Sequence, residues 1–205
     1  RQRALGLARQ ALDTMDRLIE QLLALARIDL GVADVPKRRV DLVALVAEVM
    51  TLHERSAATA DVTLRTLEGS PDAFVLGNAA LLESMVGNLV DNAVKYSAEG
   101  STVRLHGRGG AERATITVED DGIGIPEVDL ERIFERFYRV DRARGRDTGG
   151  TGLGLSIVRH MLLNHRGSVE VESIEGEGTT FTVTLPTTLH VGDVTAGAKR
   201  GVDVG

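Results

Sequence analysis

Leu5, Leu12, Ile19 and Ala26 recur every seven residues, and Ala8, Met15 and Leu22 form a second row three positions later. Two apolar rows at that spacing predict one long helix over residues 4–29 with a seam for a partner helix. An ordinary amphipathic helix lying on the next domain gives the same pattern. Pairing is the reading adopted, because little else in the segment looks globular and a lone helix of this length is marginal in water. Residues 31–40 break the period, and Pro36 with Lys37-Arg38-Arg39 predicts an exposed linker. Asp41 then stands as the N-cap of a second helix running to about Ala58.

The period changes after that. Val62–Leu67 alternates and predicts a strand, Gly69-Ser70-Pro71 a turn, and Phe74–Leu76 another short strand. Residues 78–96 return to the helical period, with Leu81, Leu82, Met85, Val86, Leu89 and Val90 on one broad face. Two strands follow, Thr102–Gly107 and Ala114–Glu119, joined by a Gly-Gly turn. Residues 120–150 read as loop, apart from a short helical stretch near Leu130–Phe137. Gly152–Leu163 predicts a helix, and Val169–Ser173 with Thr180–Leu185 a hairpin across Glu175-Gly176-Glu177-Gly178. From residue 189 the chain is small and polar, the pattern of a loose tail. Helices and strands mixed without a βαβ repeat predict an α+β fold, a two-layer α/β sandwich whose mixed sheet carries helices on one face.

Composition narrows the function. Of 205 residues 42% are hydrophobic, enough for a sizeable core. Lys and Arg total 24 against 30 Asp and Glu, a net charge of −6, which argues against a nucleic-acid partner. The absence of cysteine excludes disulfides, thiolate metal sites and a cysteine nucleophile. No apolar run approaches the roughly 20 residues of a membrane span, so no membrane contact is expected from this segment. No signal peptide is visible, and the chain opens on Arg1 in what reads as the middle of a helix. It is therefore expected to be a piece of something longer. The 23 glycines cluster at Gly122 and Gly124 and again from Gly145 to Gly154, where backbone must turn sharply or approach a ligand.

Three segments carry candidate chemistry. Asn88, Asn92 and Lys95 share one face of the helix over 78–96. Two amide oxygens beside a cation can hold hydrated magnesium and a phosphate chain; a solvated polar stripe gives the same pattern. Glu119-Asp120-Asp121-Gly122-Ile123-Gly124-Ile125-Pro126 follows a strand directly, which puts a carboxylate at a pocket edge with bare backbone behind it. Such a carboxylate can accept from an exocyclic amine, though an acidic turn has the same composition. Gly149-Gly150-Thr151-Gly152-Leu153-Gly154-Leu155 opens a helix, where backbone N–H groups can bind phosphate. It lacks the ending of a Walker loop and the preceding strand of a dinucleotide fingerprint. Between the second and third segments lie six arginines, Arg132, Arg136, Arg139, Arg142, Arg144 and Arg146, consistent with an anion-binding flap or with ordinary surface charge.

In this order and spacing the segments resemble the ATP-binding domain of sensor histidine kinases, in the Bergerat-fold ATPase superfamily. The resemblance covers about residues 41–187. The first segment corresponds to the N box, the second to the G1 box and Ile133–Arg139 to the F box. Gly150–Leu155 corresponds to the G2 box, and Gly176–Phe181 resembles the family's last turn and strand. The resemblance implies ATP and Mg2+ as ligands, with Asn88 and Asn92 on the metal, Lys95 on phosphate and Tyr96 against the nucleotide. It implies that Asp120 accepts the adenine amine with Thr179 nearby, and that Gly122, Gly124 and Ile125 let the base pass close to backbone. Gly150, Thr151, Gly152, Leu153, Gly154 and Leu155 would close a lid, about residues 139–151, and its following helix over the phosphates, which Arg136 and Arg139 approach as it orders.

Residues 1–30 resemble the second helix of the family's dimerisation domain, with 31–40 as linker and 188–205 as tail. The family's phosphoacceptor box, a His followed by Glu or Asp on the first bundle helix, has no counterpart. None of His53, His106, His160, His165 and His190 lies in that context. The expectation is therefore an ATP-binding fragment without its own phosphoacceptor. It would be the cytoplasmic portion of a membrane sensor, with a response regulator as partner and a homodimer in the full-length protein. Two alternatives stand beside it. Water-using ATPases of the superfamily carry a Glu as general base where this chain has Asn88, and a degenerate domain would bind a partner and no nucleotide.

Overall fold

A computed structural model describes Met15 and residues 37–69, 73–140 and 151–187. The expected paired helix over 4–29, the Ser70-Pro71 turn, Gly150 and the tail from 189 lie outside the described residues, apart from Met15, which is helical and exposed.

The first element corrects the end of the linker expected over 31–40, whose residues 31–36 lie outside the described residues. Arg38–Asp41 (β1) is a strand, antiparallel to Phe74–Gly77 (β3), with Val40 opposite Val75. Its basic run suggested solvent. A four-residue strand needs only one inward residue, however, and Val40 is that residue at 7% exposure. The charge is accommodated by stacking, since the Arg39 guanidinium lies 3.8 Å from the centre of the Phe74 ring.

Asp41 caps the helix Leu42–Thr59 (α1), its Oδ1 accepting from the N–H groups of Val43 (2.9 Å) and Ala44 (3.3 Å). Thr63–Thr66 (β2) follows. Asn78 caps Ala79–Tyr96 (α2) by accepting from Leu81 N–H at 3.0 Å. The strands Thr102–Arg108 (β4) and Arg113–Asp120 (β5) form a hairpin, and Gly154–Asn164 (α3) leads into the hairpin Ser168–Ile174 (β6) and Gly178–Pro186 (β7). The large sheet has the order β2-β4-β5-β7-β6, with β2 parallel to β4 and the other pairs antiparallel. It is the mixed sheet of an α+β sandwich.

Alternation in the strands decides which face is covered. Val103 and Leu105 of β4, Ala114, Ile116 and Val118 of β5, and Phe181, Val183 and Leu185 of β7 are buried. They meet Leu82, Met85, Val86, Leu89 and Val90 of α2 and Ile157, Val158, Met161 and Leu162 of α3 in one core. Truncating one of the fully buried leucines, Leu82, Leu89 or Leu105, to Ala should cost about 2–5 kcal/mol. The intervening strand positions, such as Arg104, Thr117 and Thr182, are only half-buried on the opposite face.

The stretch near Leu130–Phe137 is not the expected helix. It is a 3-10 turn, Glu127–Asp129, followed by successive turns. Phe137 has φ +63° and donates its N–H to the carbonyl of Gly152 at 2.8 Å, so the segment closes on the loop before α3 instead of on itself. No helix among the described residues is long and apolar enough to cross a membrane.

Candidate functional site

The helix-facing side of the sheet is apolar until its last layer. Val118, Phe181 and Val171 lie directly opposite one another across β5, β7 and β6. Two residues further on, the same register aligns Asp120, Thr179 and Ser173. Side chains two apart on a strand share a face, so this is a polar row at the edge of the core. Asp120 is 7% exposed and Thr179 6%.

Asp120 Oδ1 accepts from Gly122 N–H at 2.9 Å, and its carboxyl also takes the backbone N–H of Thr179. Burial pushes its pKa from 3.8 up to about 6, against the pull of these two donors and with a smaller push from Asp121 and Glu119. The adjacent Asp121 behaves oppositely. It lies on the exposed side, where Arg104 Nη1 and Nη2 reach its carboxyl at 2.7 and 3.1 Å and hold its pKa below the usual range. One turn therefore presents a buried carboxyl and a solvated one, and only Asp120 faces inward.

The loop after Asp120 is tied at both ends. Gly122 bridges Ser97, and Ile123 N–H donates to Tyr96 C=O at 3.1 Å, which pins the loop to the end of α2. A Cβ at Gly122 would stand 2.6 Å from that same carbonyl. Gly124 has φ +66° and lies against the Ile174 carbonyl, where a side chain has no room. Ile125 N–H donates to Ser173 Oγ at 2.8 Å and Gly176 N–H to Ile123 C=O at 2.8 Å, so the β6–β7 turn carries the loop.

Asn88, Asn92 and Lys95 lie along α2, half-buried. Asn88 Nδ2 donates to Ser84 C=O at 2.8 Å. Its Oδ1 points at the start of α3, where a Cβ built on Gly154 would stand 3.2 Å away. That helix start has no side-chain cap on its first turn, since Thr151 Oγ1 accepts from Leu153 N–H (3.2 Å), the residue before it. Uncapped N–H groups thus sit beside an amide oxygen, an arrangement that suits an anion and its cation together. Leu153 itself is fully buried and anchors the loop in the core. Leu155 is half-buried and packs on the same core.

Lys95 Nζ lies 4.9 Å from the Tyr96 ring centre. Burial raises the Tyr96 pKa while the Arg139 charge opposes it. Arg136 is exposed. The F-box segment is held by Phe134, edge-on to Phe181 at 6.5 Å, and by Tyr138, whose hydroxyl donates to Asp129 beneath the Arg132 guanidinium. Gly152, with φ +72°, packs on Phe137.

The structure therefore gathers Asn88 with Gly154, Lys95 with the Tyr96 ring, the Tyr96 carbonyl with Gly122, and Asp120 with Thr179. Gly150 and residues 141–149 of the expected lid lie outside the described residues. Sequence reasoning missed Ser173, which joins the loop after Asp120 to Thr179. Its only signal was its place at the end of the expected strand Val169–Ser173, and the pairing with Thr179 is supplied by the register.

The family model described as histidine kinase-, DNA gyrase B-, and HSP90-like ATPase matches residues 77–189. The sensor-like histidine kinase SenX3 of Mycobacterium tuberculosis is 42% identical over 170 residues, 82% of this chain and 41% of SenX3. The chain spans about two-fifths of the length of the curated relatives it matches. Among solved structures, a mycobacterial sensor histidine kinase, MprB, aligns with a TM-score of 0.63 at 28% identity, covering 73% of this chain and 97% of that one. Full-length ShkA in complex with AMPPNP aligns with a TM-score of 0.75 at 27% identity, covering 88% of this chain and 38% of ShkA.

Proposed function

The chain belongs to the histidine kinase-, DNA gyrase B- and HSP90-like ATPase family, and from that premise we propose that it is the ATP-presenting core of a two-component sensor histidine kinase. The observation that carries the reading is the Asp120–Thr179 row at one end of the central strands, joined through the Gly122 loop to the end of the α2 helix that bears Asn88, Asn92 and Lys95. A base at one end and a phosphate chain at the other span that arrangement.

In this reading Asp120 accepts the exocyclic amine of adenine, with Thr179 beside it. Gly122, Gly124 and Ile125 expose backbone to the base, and Tyr96 lies against the nucleotide. Lys95, the first N–H groups of α3 and the Gly150–Leu155 segment hold the phosphates, with Arg136 and Arg139 approaching from the lid. The residues also fit magnesium. With Nδ2 held by Ser84, Asn88 Oδ1 faces the start of α3, and Asn92 stands one turn further along. In this reading phosphate oxygens and water complete the coordination. Magnesium held there would supply charge neutralisation for the phosphates. The protein contributes position and electrostatics, and the acceptor is a histidine on a helical bundle.

Asn88 also weighs against a water-using ATPase. An amide cannot take a proton from water, and its nitrogen is already committed to Ser84. Residues 41–187 would form the catalytic domain and residues 1–30 one helix of the bundle through which the whole protein dimerises. SenX3, whose name is that of a sensor-like histidine kinase, supports the kinase reading; by that reading this portion would lie on the cytoplasmic side of a membrane sensor, with an aspartate of a response regulator as final acceptor.

Calorimetric titration with AMPPNP, with and without magnesium, tests the reading. Binding that needs magnesium in the parent and loses that dependence in Asn92→Ala is the expected result. No heat at millimolar ligand would overturn it in favour of a degenerate scaffold. A longer chain carrying the first bundle helix should then form phosphohistidine.

A further inference from the structure

Ser173 has one hydroxyl and three partners. Its Oγ lies 2.8 Å from Ile125 N, 2.9 Å from Gly178 O and 2.9 Å from Thr179 Oγ1. Donor and acceptor roles follow by counting. An amide N–H only donates, so Ile125 occupies one lone pair of Ser173. A carbonyl only accepts, so the single Ser173 proton goes to Gly178. One lone pair is left, and it faces Thr179. The Thr179 hydroxyl must therefore donate its proton to Ser173, and its oxygen keeps only lone pairs for any further partner.

The rest of the row is depleted of donors in the same way. The N–H groups of Gly122 and Thr179 both go to the Asp120 carboxyl. Asp120, Thr179 and Ser173 stand in register on three neighbouring strands. Once their mutual bonds are made, this end of the sheet offers acceptors and no donor from the row itself.

We propose that Ser173 is a positioning residue that locks the Thr179 hydroxyl as an acceptor and so makes the site select a 6-aminopurine over a 6-oxopurine. The proposal rests on the nucleotide-site reading above. A 6-amino group brings protons to lone pairs. A 6-oxo group brings lone pairs to lone pairs, and leaves a buried polar atom without a partner. Without Ser173 the Thr179 hydroxyl is free to turn and donate to the 6-oxygen, and the discrimination relaxes.

The test uses the 205-residue chain with ADP and inosine diphosphate, both with magnesium, and compares their Kd values in parent, Ser173→Ala and Ser173→Thr. The parent should favour ADP. In Ser173→Ala the ADP-to-IDP preference should fall roughly tenfold, the size of one net hydrogen bond. Ser173→Thr, which keeps the hydroxyl, should restore it. A merely structural role would weaken both nucleotides together, so an unchanged ratio in Ser173→Ala overturns the proposal while leaving the nucleotide site intact. If Ser173→Ala does not fold, Thr179→Val carries the test. It removes the hydroxyl that Ser173 orients, and an undiminished ADP preference there overturns the proposal equally. A folded parent that binds neither nucleotide overturns the site reading and this inference with it.

Discussion

Asp120 is buried with a pKa of about 6, and that displacement makes nucleotide binding depend on pH in a calculable way. An amine donating into the carboxyl favours its charged form, so the bound pKa must fall below the free one. Each unit of that fall is a factor of ten in affinity between the ionised and protonated proteins, or 1.36 kcal/mol. If the bound group returns to the ordinary 3.8, the two-unit difference is about 3 kcal/mol. Between about pH 7 and pH 5 the apparent affinity should then drop roughly tenfold, because only about one molecule in eleven is ionised at the lower value. Terminal phosphates also titrate in this range, so the carboxyl itself is the better readout. NMR of carboxyl-labelled protein should show Asp120 titrating near 6 without nucleotide and well below it with nucleotide. The same midpoint in both states would refute the assignment of Asp120 to the base. The stability sign is opposite. A raised carboxyl pKa contributes most below its ordinary value, and that contribution is lost as pH rises through about 6. Asp120→Asn should therefore be at least as stable as the parent at about pH 8, while its adenine affinity collapses. A variant that lost both together would point to a structural role.

Two further outcomes follow from the helix ends that frame the site. His165 Nε2 accepts from Asn78 N–H at 3.1 Å and its Nδ1 donates to Met161 C=O at 2.8 Å, so one neutral ring ties the end of α3 to the start of α2. His165→Ala should cost about 2–4 kcal/mol in urea unfolding, from the orphaned Asn78 donor and the cavity. Burial, assisted by Lys37, holds its pKa below 6.5. Its stabilising contribution is therefore present above 6.5 and lost as pH falls. The parent should accordingly lose more of its margin over His165→Ala as the medium is acidified, and a constant margin would contradict the neutral tautomer. Gly154→Ala should hold or slightly raise stability through helix propensity. Its methyl would press on Asn88 Oδ1 from 3.2 Å, so magnesium-dependent nucleotide affinity should fall. Unaltered affinity would move the metal away from Asn88.

What could be read in advance divides along the distance over which each signal acts. The α1 and α2 helices, with Asp41 and Asn78 at their starts, follow from local period and capping, and they lie where expected within a residue or two. The short strand β1 was hidden because its one buried residue, Val40, sits beside two arginines, and its partner Val75 is 35 positions away. Leu130, Ile133, Phe134 and Phe137 have helical spacing. The positive φ of Phe137 and its bond to Gly152 leave no trace in that spacing, and they turn the segment toward the loop before α3. The same division runs through the site. Asn88, Asn92 and Lys95 share a face by helix geometry alone, so their grouping is legible. Asp120, Thr179 and Ser173 come together only through the register of three strands, and register is set by tertiary packing. Resemblance supplied Asp120 and Thr179, but Ser173 could be recognised only once its three partners were in place. A hydroxyl with one proton and three neighbours has a single consistent arrangement. The base preference of the site therefore turns on a residue that contributes its lone pairs and proton to the protein.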